Sequence, residues 1–173
     1  MACKTNRRRK LGECGDTLVE LAFVLVPLVV LLFGILDFGF AIFLKSTFQH
    51  AVREGVRYAI TYETAPGLGH DDSVRQVVQR NTMNLLSPEQ AANKVKIRYF
   101  NPALYNPANP GDWTGTLVTG TGSNAPGNIV EVSIEDFQWH LFVPAFFSSP
   151  LTITVRASDK MEGLPGGAAP PPR

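Results

Sequence analysis

Cysteine is nearly absent from this chain of 173 residues. Its two cysteines, Cys3 and Cys14, both precede residue 15. No internal disulfide can therefore form in the rest of the chain. If that part is exported to an oxidising compartment, packing alone must stabilise it.

A surplus of charge is also lacking, since 16 Lys and Arg residues face 15 Asp and Glu residues, for a net charge of +1. This balance excludes the basic footprint of a nucleic-acid-binding protein, and we expect no nucleic-acid partner. The charges are unevenly placed, because residues 1–15 carry a net +4 and the remainder a net −3. The basic residues of this leader are Lys4, Arg7, Arg8, Arg9 and Lys10.

The sequence has no recognisable catalytic motif. His50, His70 and His140 fit no metal-ligand spacing, and His70 beside Asp71 and Asp72 is better explained by the start of a helix. No Ser or Cys lies in a nucleophile motif, and no glycine-rich phosphate loop occurs. We therefore predict no enzyme, no metal, no cofactor and no small-molecule substrate. An unfamiliar membrane-tethered enzyme is the alternative if the histidines and acids cluster in one pocket.

A long apolar run is what the sequence does contain. Leu21–Leu36 carries no charge, and after Asp37 the apolar character continues to Leu44. As a helix this run spans about 36 Å, which is enough to cross a bilayer core of about 30 Å once. Because the Lys and Arg excess precedes the run, the N-terminus is predicted to be cytoplasmic and the body extracytoplasmic.

Three kinds of membrane segment compete for this run. A cleaved secretory signal has a shorter apolar region and a small-residue cleavage site, neither of which is present. A lipoprotein signal places its cysteine after the apolar region, whereas Cys14 precedes it. A plain single-pass anchor fits the length and orientation, but it explains neither Gly15 nor Glu20.

Gly15 and Glu20 lie five residues apart where the basic leader meets the apolar run. The stretches GDTLVELAFVLVP and FGILDFGFAIF, and the block AVREGVRYA at residues 51–59, resemble the TadE-like pseudopilins of tight-adherence type IV pilus systems. LTITVRASDKME is a weaker similarity to the same family. The resemblance implies that a prepilin peptidase cuts after Gly15, which makes Asp16 the first residue of the mature chain.

The resemblance also implies roles for two acids in the apolar run. Glu20 would pair with the N-terminal amine of a neighbouring subunit; the alternative is that it reaches the inner headgroups. Asp37 lies about 25 Å farther along the helix, near the outer interface. The family often has an acid there, although Asp37 could equally reach the outer headgroups.

A helical pattern continues beyond the apolar run, and one helix is predicted from near Asp16 to before Pro66. The charged residues of its outer half form either a solvated face or a partner contact. Aromatic residues between two later strands either close the core or contact a partner or lipid. The candidate interface residues are Asp37, Arg53, Glu54, Arg57, Phe142 and Phe146.

The remaining sequence predicts an α+β head. A second helix, capped by Asp71 or Asp72, should end at Ser87-Pro88. Three alternating segments, with polar faces that are basic in one and acidic in another, predict a three-stranded antiparallel sheet packed on the helices. Residues 101–127 form a long Pro/Gly/Asn loop, either a tolerated insertion or a binding surface. The tail should be disordered.

These features predict a minor pseudopilin or assembly factor of a tight-adherence type IV pilus, single-pass in a bacterial inner membrane. Its partners would be membrane lipid, the prepilin peptidase, other pilins or pseudopilins and the pilus assembly platform. The alternative is an uncleaved, membrane-anchored extracytoplasmic binding module. The predicted segments are the leader (1–15), the membrane helix (16–45), its exposed continuation (46–64), a second helix and first strand (65–100), the loop (101–127), two strands with an aromatic connection (128–162) and the tail (163–173).

Overall fold

The computed structural model describes residues 9–141 and 150–173, with side chains from residue 18 onward. The candidate interface residues Phe142 and Phe146 lie outside the described residues. The chain divides into two compact units, Met1–Ala41 with His140–Pro150 and Ile42–Trp139 with Leu151–Arg173. We call the second unit the head.

A single helix, α1, extends from Arg9 to Ile60 and passes through Pro27 without ending. Its apolar side chains are exposed over several turns, and Phe23 is 77% exposed. Among the described residues, Leu18–Ile60 is the one helix long and apolar enough to cross a membrane. This fits the predicted single-pass anchor, because apolar side chains left uncovered by protein are compatible with a lipid environment.

Two short helices of the head replace the single second helix that the sequence predicted. Helix α2 spans His70–Asn81 and helix α3 spans Pro88–Lys94. Helix α2 begins after Gly69 with no side-chain cap, so the predicted Asp cap was wrong. Ser87 does not end a helix; it caps α3 in a reciprocal pair of hydrogen bonds with Gln90. Pro88 follows as the first residue of α3, where its missing N–H costs nothing.

The sheet of the head has four antiparallel strands, one more than predicted. They are β1 (Val95–Phe100), β2 (Leu117–Val118), β3 (Ile129–Trp139) and β4 (Leu151–Lys160), in the order β2-β1-β3-β4. The additional strand lies in the segment predicted to be wholly irregular. It pairs Tyr99 with Val118, and two residues are too few to produce an alternating pattern in the sequence.

The core of the head lies between one face of the sheet and the outer half of α1. Leu44, Phe48 and Val52 recur every four residues on α1 and are buried, as helical periodicity requires. The facing strand residues, Val132 and Ile134, are fully buried. Their burial explains why the alternating pattern of β3 could be identified from the sequence.

The opposite face of the sheet carries the predicted charge complementarity. Arg98 on β1 donates to both carboxylate oxygens of Glu135, at 2.6 and 2.9 Å, and to Glu131 at 3.3 Å. The hydrogen bond from Arg98 lowers the pKa of Glu135 below its ordinary value. The expected attraction between a basic and an acidic strand is therefore confirmed by direct ion pairs.

The tail was predicted to be disordered, but its last residues pack onto the head. Pro172 accepts a hydrogen bond from the backbone N–H of His70 at 2.8 Å, and Pro171 accepts one from the Asn124 amide at 2.9 Å. The composition of the tail did not predict that it is ordered, because the groups that anchor it are backbone carbonyls and a single guanidinium, that of Arg173. A low content of apolar residues therefore did not prevent ordering.

Candidate functional site

Glu20 lies at the beginning of the exposed apolar surface of α1. Its neighbours Val19 and Leu21 are 56% and 57% exposed, and Glu20 is itself exposed. No described side chain forms an ion pair with Glu20. The backbone of Gly15 and Asp16 is helical, and residues four apart on a helix share a face. Asp16 and Glu20 are therefore one turn apart on the same side of α1.

Asp37 is fully buried in the first unit, although residues on either side of it are exposed. It takes part in an interaction within the folded chain. The Asp37 carboxylate is thus covered by other residues of the chain and is not exposed on the surface of α1. Intramembrane acids that face protein are characteristic of positions with a function.

The charged residues on the outer half of α1 lie away from the core. Arg53 and Arg57 are exposed and Glu54 is half-buried, whereas Val52 and Val56 point into the head. No described side chain forms an ion pair with these three residues. They remain accessible to solvent or to a partner, as the sequence left open.

The histidines are not brought together in the head. His50 is exposed on α1, whereas His70 is buried at the start of α2. Across the described ranges, 9–141 and 150–173, no three His, Cys, Asp or Glu residues are grouped so that they could hold a metal ion.

A buried polar network in the head was not identified from the sequence. The Tyr99 hydroxyl lies 2.8 Å from Asp71 Oδ1 and 3.2 Å from His70 Nδ1. His70 Nε2 lies 3.1 Å from the carbonyl of Ala59 and must donate to it, so Nδ1 of the neutral ring is an acceptor. The single proton of Tyr99 thus faces two acceptors. In the sequence, the adjacent His70 and Asp71 were a hint of this network, but their tyrosine partner is 28 residues away from Asp71.

Arg173 completes this network from the tail. Its guanidinium donates to Asp71 Oδ2 from Nε at 2.9 Å and from Nη2 at 2.7 Å, and it lies 4.8 Å from the centre of the Tyr99 ring. Burial raises the pKa of Tyr99, and the negative Asp71 adds to that effect. Burial also lowers the pKa of His70, against the opposing effects of its bond to Ala59 and of Asp71. The network therefore joins α2, β1 and the tail.

A cleft of about 620 Å³ lies between the polar face of the sheet and the loop that the sequence singled out. The loop contributes Trp113, which stacks on Tyr105 with ring centres 4.5 Å apart. Aromatic and apolar groups combined with a few charged ones are typical of binding clefts. The lining includes Arg98, Phe100, Trp113, Leu117, Glu131 and Arg156.

A comparison with known protein families gives a match in the N-terminal part of the chain. The family model described as TadE-like protein matches residues 15–57. No curated protein and no solved structure shows a significant match to the chain. The matched segment begins at Gly15, contains Glu20 and Asp37 and ends at Arg57, so it coincides with the part of the chain that carried the sequence resemblance. Residues 15–57 are TadE-like, and the predicted resemblance is confirmed.

Proposed function

We propose that this chain is a minor pseudopilin or assembly factor of a tight-adherence type IV pilus, and that a prepilin peptidase cleaves it after Gly15. The TadE-like match over residues 15–57 supports an association with tight-adherence pili and with a membrane. The proposal adds the cleavage, the orientation with the head outside the cytoplasm, and the location in a bacterial inner membrane.

The observation that carries the proposal is the environment of Glu20. It is an exposed carboxylate without an ion-pair partner among the described side chains, at the start of an apolar helix surface. A charged side chain at the centre of a membrane helix costs ~2.5–3.5 kcal/mol, less near the interface, unless a counter-charge accompanies it. Cleavage after Gly15 frees an ammonium group on Asp16, and the same group on a neighbouring subunit would supply that charge.

Gly15 suits the proposed cleavage for a local reason. Glycine is less favourable than alanine in a helix interior by about 1 kcal/mol. Gly15, the residue that precedes the proposed scissile bond, is therefore a position of low intrinsic helix propensity in α1. A peptidase has to gain access to that bond, and a weak point in the helix lowers the cost of local opening.

Determination of the N-terminus tests the cleavage directly. The chain is expressed in cells with and without a prepilin peptidase and analysed by intact-mass measurement and N-terminal sequencing. We expect a mature chain that begins at Asp16 only when the peptidase is present. Gly15→Leu should block processing, whereas Gly39→Ala, a change of another glycine in α1 with nothing within 4 Å, should not. A leader that stays attached in every strain would overturn the proposed cleavage.

A second candidate function is an uncleaved binding module, which the cleft beside Trp113 favours. Under this alternative the leader is retained and the cleft captures an extracytoplasmic ligand. Trp113→Ala would then remove the phenotype that the protein confers on cells, whereas blocking the peptidase would leave that phenotype unchanged. The pseudopilin proposal predicts that Trp113→Ala leaves the phenotype unchanged and that blocking the peptidase removes it.

A further inference from the structure

The outer half of α1 carries a basic face directly after the apolar run. Lys45, Gln49 and Arg53 follow one another every four residues, and Ser46 and His50 lie on the adjoining stripe. Together with Ile42 they line a surface pocket of about 450 Å³ that contains no acidic residue. The opposite stripe of the same helix is buried in the head, so this face is directed away from the core.

The cations of this face lie close to the end of the apolar run. Lys45, Arg53 and Arg57 all fall within 13 residues of Leu44. None of the three has an ion-pair partner among the described side chains. A counter-charge from outside the chain would account for their retention.

The depth of the pocket matches the headgroup layer of a bilayer. If the bilayer is centred on residues 21–44, its hydrocarbon core of about 30 Å ends near residue 43, and the headgroups extend about 5–7 Å farther. Lys45 then lies among the headgroups, and the Cα atoms of His50 and Arg53 lie about 5 Å and about 10 Å beyond them. Side chains on a helix lean toward its N-terminus, which here is the direction of the membrane. The long side chain of Arg53 therefore leans back toward the lipid.

We propose that this face of α1 binds the phosphate of an anionic phospholipid headgroup in the leaflet next to the head. Lys45 and Arg53 supply charge-assisted hydrogen bonds, Ser46 supplies a hydroxyl donor, and the exposed Ile42 contacts the acyl chains. The Gln49 amide already donates to the carbonyl of Arg156 at 3.1 Å. This hydrogen bond holds the Gln49 side chain in place in the wall of the pocket. The proposal depends on the membrane anchor but not on cleavage or pilus assembly.

Native mass spectrometry of the full chain in detergent tests the site. Phosphatidylglycerol and phosphatidylcholine are titrated into the wild type, into Lys45→Gln/Arg53→Gln, and into Lys96→Gln/Lys160→Gln, whose changed residues are exposed on the sheet. Each cation near an anionic surface contributes about a fivefold effect, so the first double variant should lose roughly 25-fold in phosphatidylglycerol retention. The sheet variant removes the same charge and should retain wild-type binding. The basic leader is present in all three proteins, so its contribution cancels.

Two further measurements identify the ligand and show whether a loss of binding comes from misfolding. Lys45→Arg/Arg53→Lys keeps both charges and should retain the lipid, which separates loss of a site from loss of structure. Inorganic phosphate at millimolar concentration should not displace phosphatidylglycerol; displacement would identify a free-anion site and overturn the lipid assignment. Equal retention by the wild type and Lys45→Gln/Arg53→Gln, or equal loss in the sheet variant, would overturn the site itself.

Discussion

Glu20 and Asp71 are two carboxylates of the chain that are stabilised in different ways. Asp71 is 7% exposed and receives hydrogen bonds from Tyr99 and Arg173 of the same chain. Glu20 forms no ion pair with any described side chain. Asp71 therefore serves the stability of the head, whereas under the proposed function Glu20 is stabilised by the N-terminal amine of a neighbouring subunit.

Glu20→Gln should leave membrane insertion intact and weaken association with pilins. A hydrogen bond to a charged group contributes about 1.5–3 kcal/mol, so co-purification should fall about tenfold or more. The measurement is the amount of pilin recovered with the membrane-extracted chain. Glu63→Gln, an exposed Glu just beyond the end of α1 that is not a candidate interface residue, is the matched control. Equal recovery with Glu20→Gln and wild type would rule out the proposed ion pair.

His70 should make the stability of the head depend on pH. Its pKa is lowered in the folded state, so the unfolded chain binds the proton first as the pH falls. This contribution to stability is complete above a pH of about 6.5 and is lost progressively below it. Urea denaturation between pH 7.5 and 5.5 should show a falling midpoint in the wild type.

His70→Gln supplies the control for this pH dependence. The Gln amide can still donate to the Ala59 carbonyl but does not titrate, so the variant should be less stable at pH 7.5 and show a smaller fall. The exposed His50 is unchanged in both proteins. Parallel curves for the two proteins would show that His70 is not the titrating group.

Helices α1 and α2 approach each other closely because Gly55 has no side chain. A Cβ atom at Gly55 would overlap Cγ2 of Val78 and would lie 3.7 Å from Cγ1 of Val74. Val74 and Val78 are fully buried one turn apart on α2. The Arg-Glu-Gly block that carried part of the family resemblance thus has a packing reason for its glycine, independent of any partner.

Gly55→Ala should destabilise the head even though alanine is the better helix former. Alanine gains about 1 kcal/mol in helix propensity, whereas overpacking a close contact typically costs 1–3 kcal/mol. We expect a net loss of about 1 kcal/mol, measured as a melting temperature several degrees lower. Gly115→Ala, where nothing lies within 4 Å of the new Cβ, should change the melting temperature little. Comparable melting of both variants would show that α2 can shift to accept the methyl group.

The elements that the sequence predicted well are those with a long, regular pattern. The periodicity of α1 and the alternation of β3 extend over many residues, and both elements are present. The boundary between α2 and α3 was missed because Met83 and Asn84 adopt positive φ angles, which no pattern of apolar residues reports. Ser87-Pro88-Glu89-Gln90 is nevertheless a capping-box sequence and could have marked the start of α3.

Long-range contacts in the whole molecule were the least predictable from sequence. Asp71 and Arg173 are 102 residues apart, and nothing in either local sequence indicates that they pair. The tail also contacts the loop, through Arg173 to Gly120 at 3.2 Å and through Pro171 to Asn124. A Cβ at Gly69 would come within 2.6 Å of the backbone of Arg173, so glycine is required where the tail passes α2.

Arg173→Leu should destabilise the head by about 1–3 kcal/mol, because it leaves the Asp71 carboxylate buried with an unsatisfied oxygen. The measurement is chemical denaturation at pH 7.5. Arg75→Gln, which breaks the exposed pair of Arg75 with Asp72 at 2.6 Å, should cost less than about 1 kcal/mol. Asp71→Asn in the Arg173→Leu background should recover part of the loss. A tail that contributes nothing would make Arg173→Leu indistinguishable from Arg75→Gln.

The two edge strands of the sheet differ greatly in length, since β4 has ten residues and β2 only two. A strand of another molecule could pair along the open edge of β4, whereas the opposite edge offers only the two residues of β2 and the part of β1 that β2 does not pair with. Pairing of two heads along β4 would use the long edge of both. Further growth by strand pairing would then depend on the short and uneven edge at β2, so the fold disfavours β-type polymerisation of the heads.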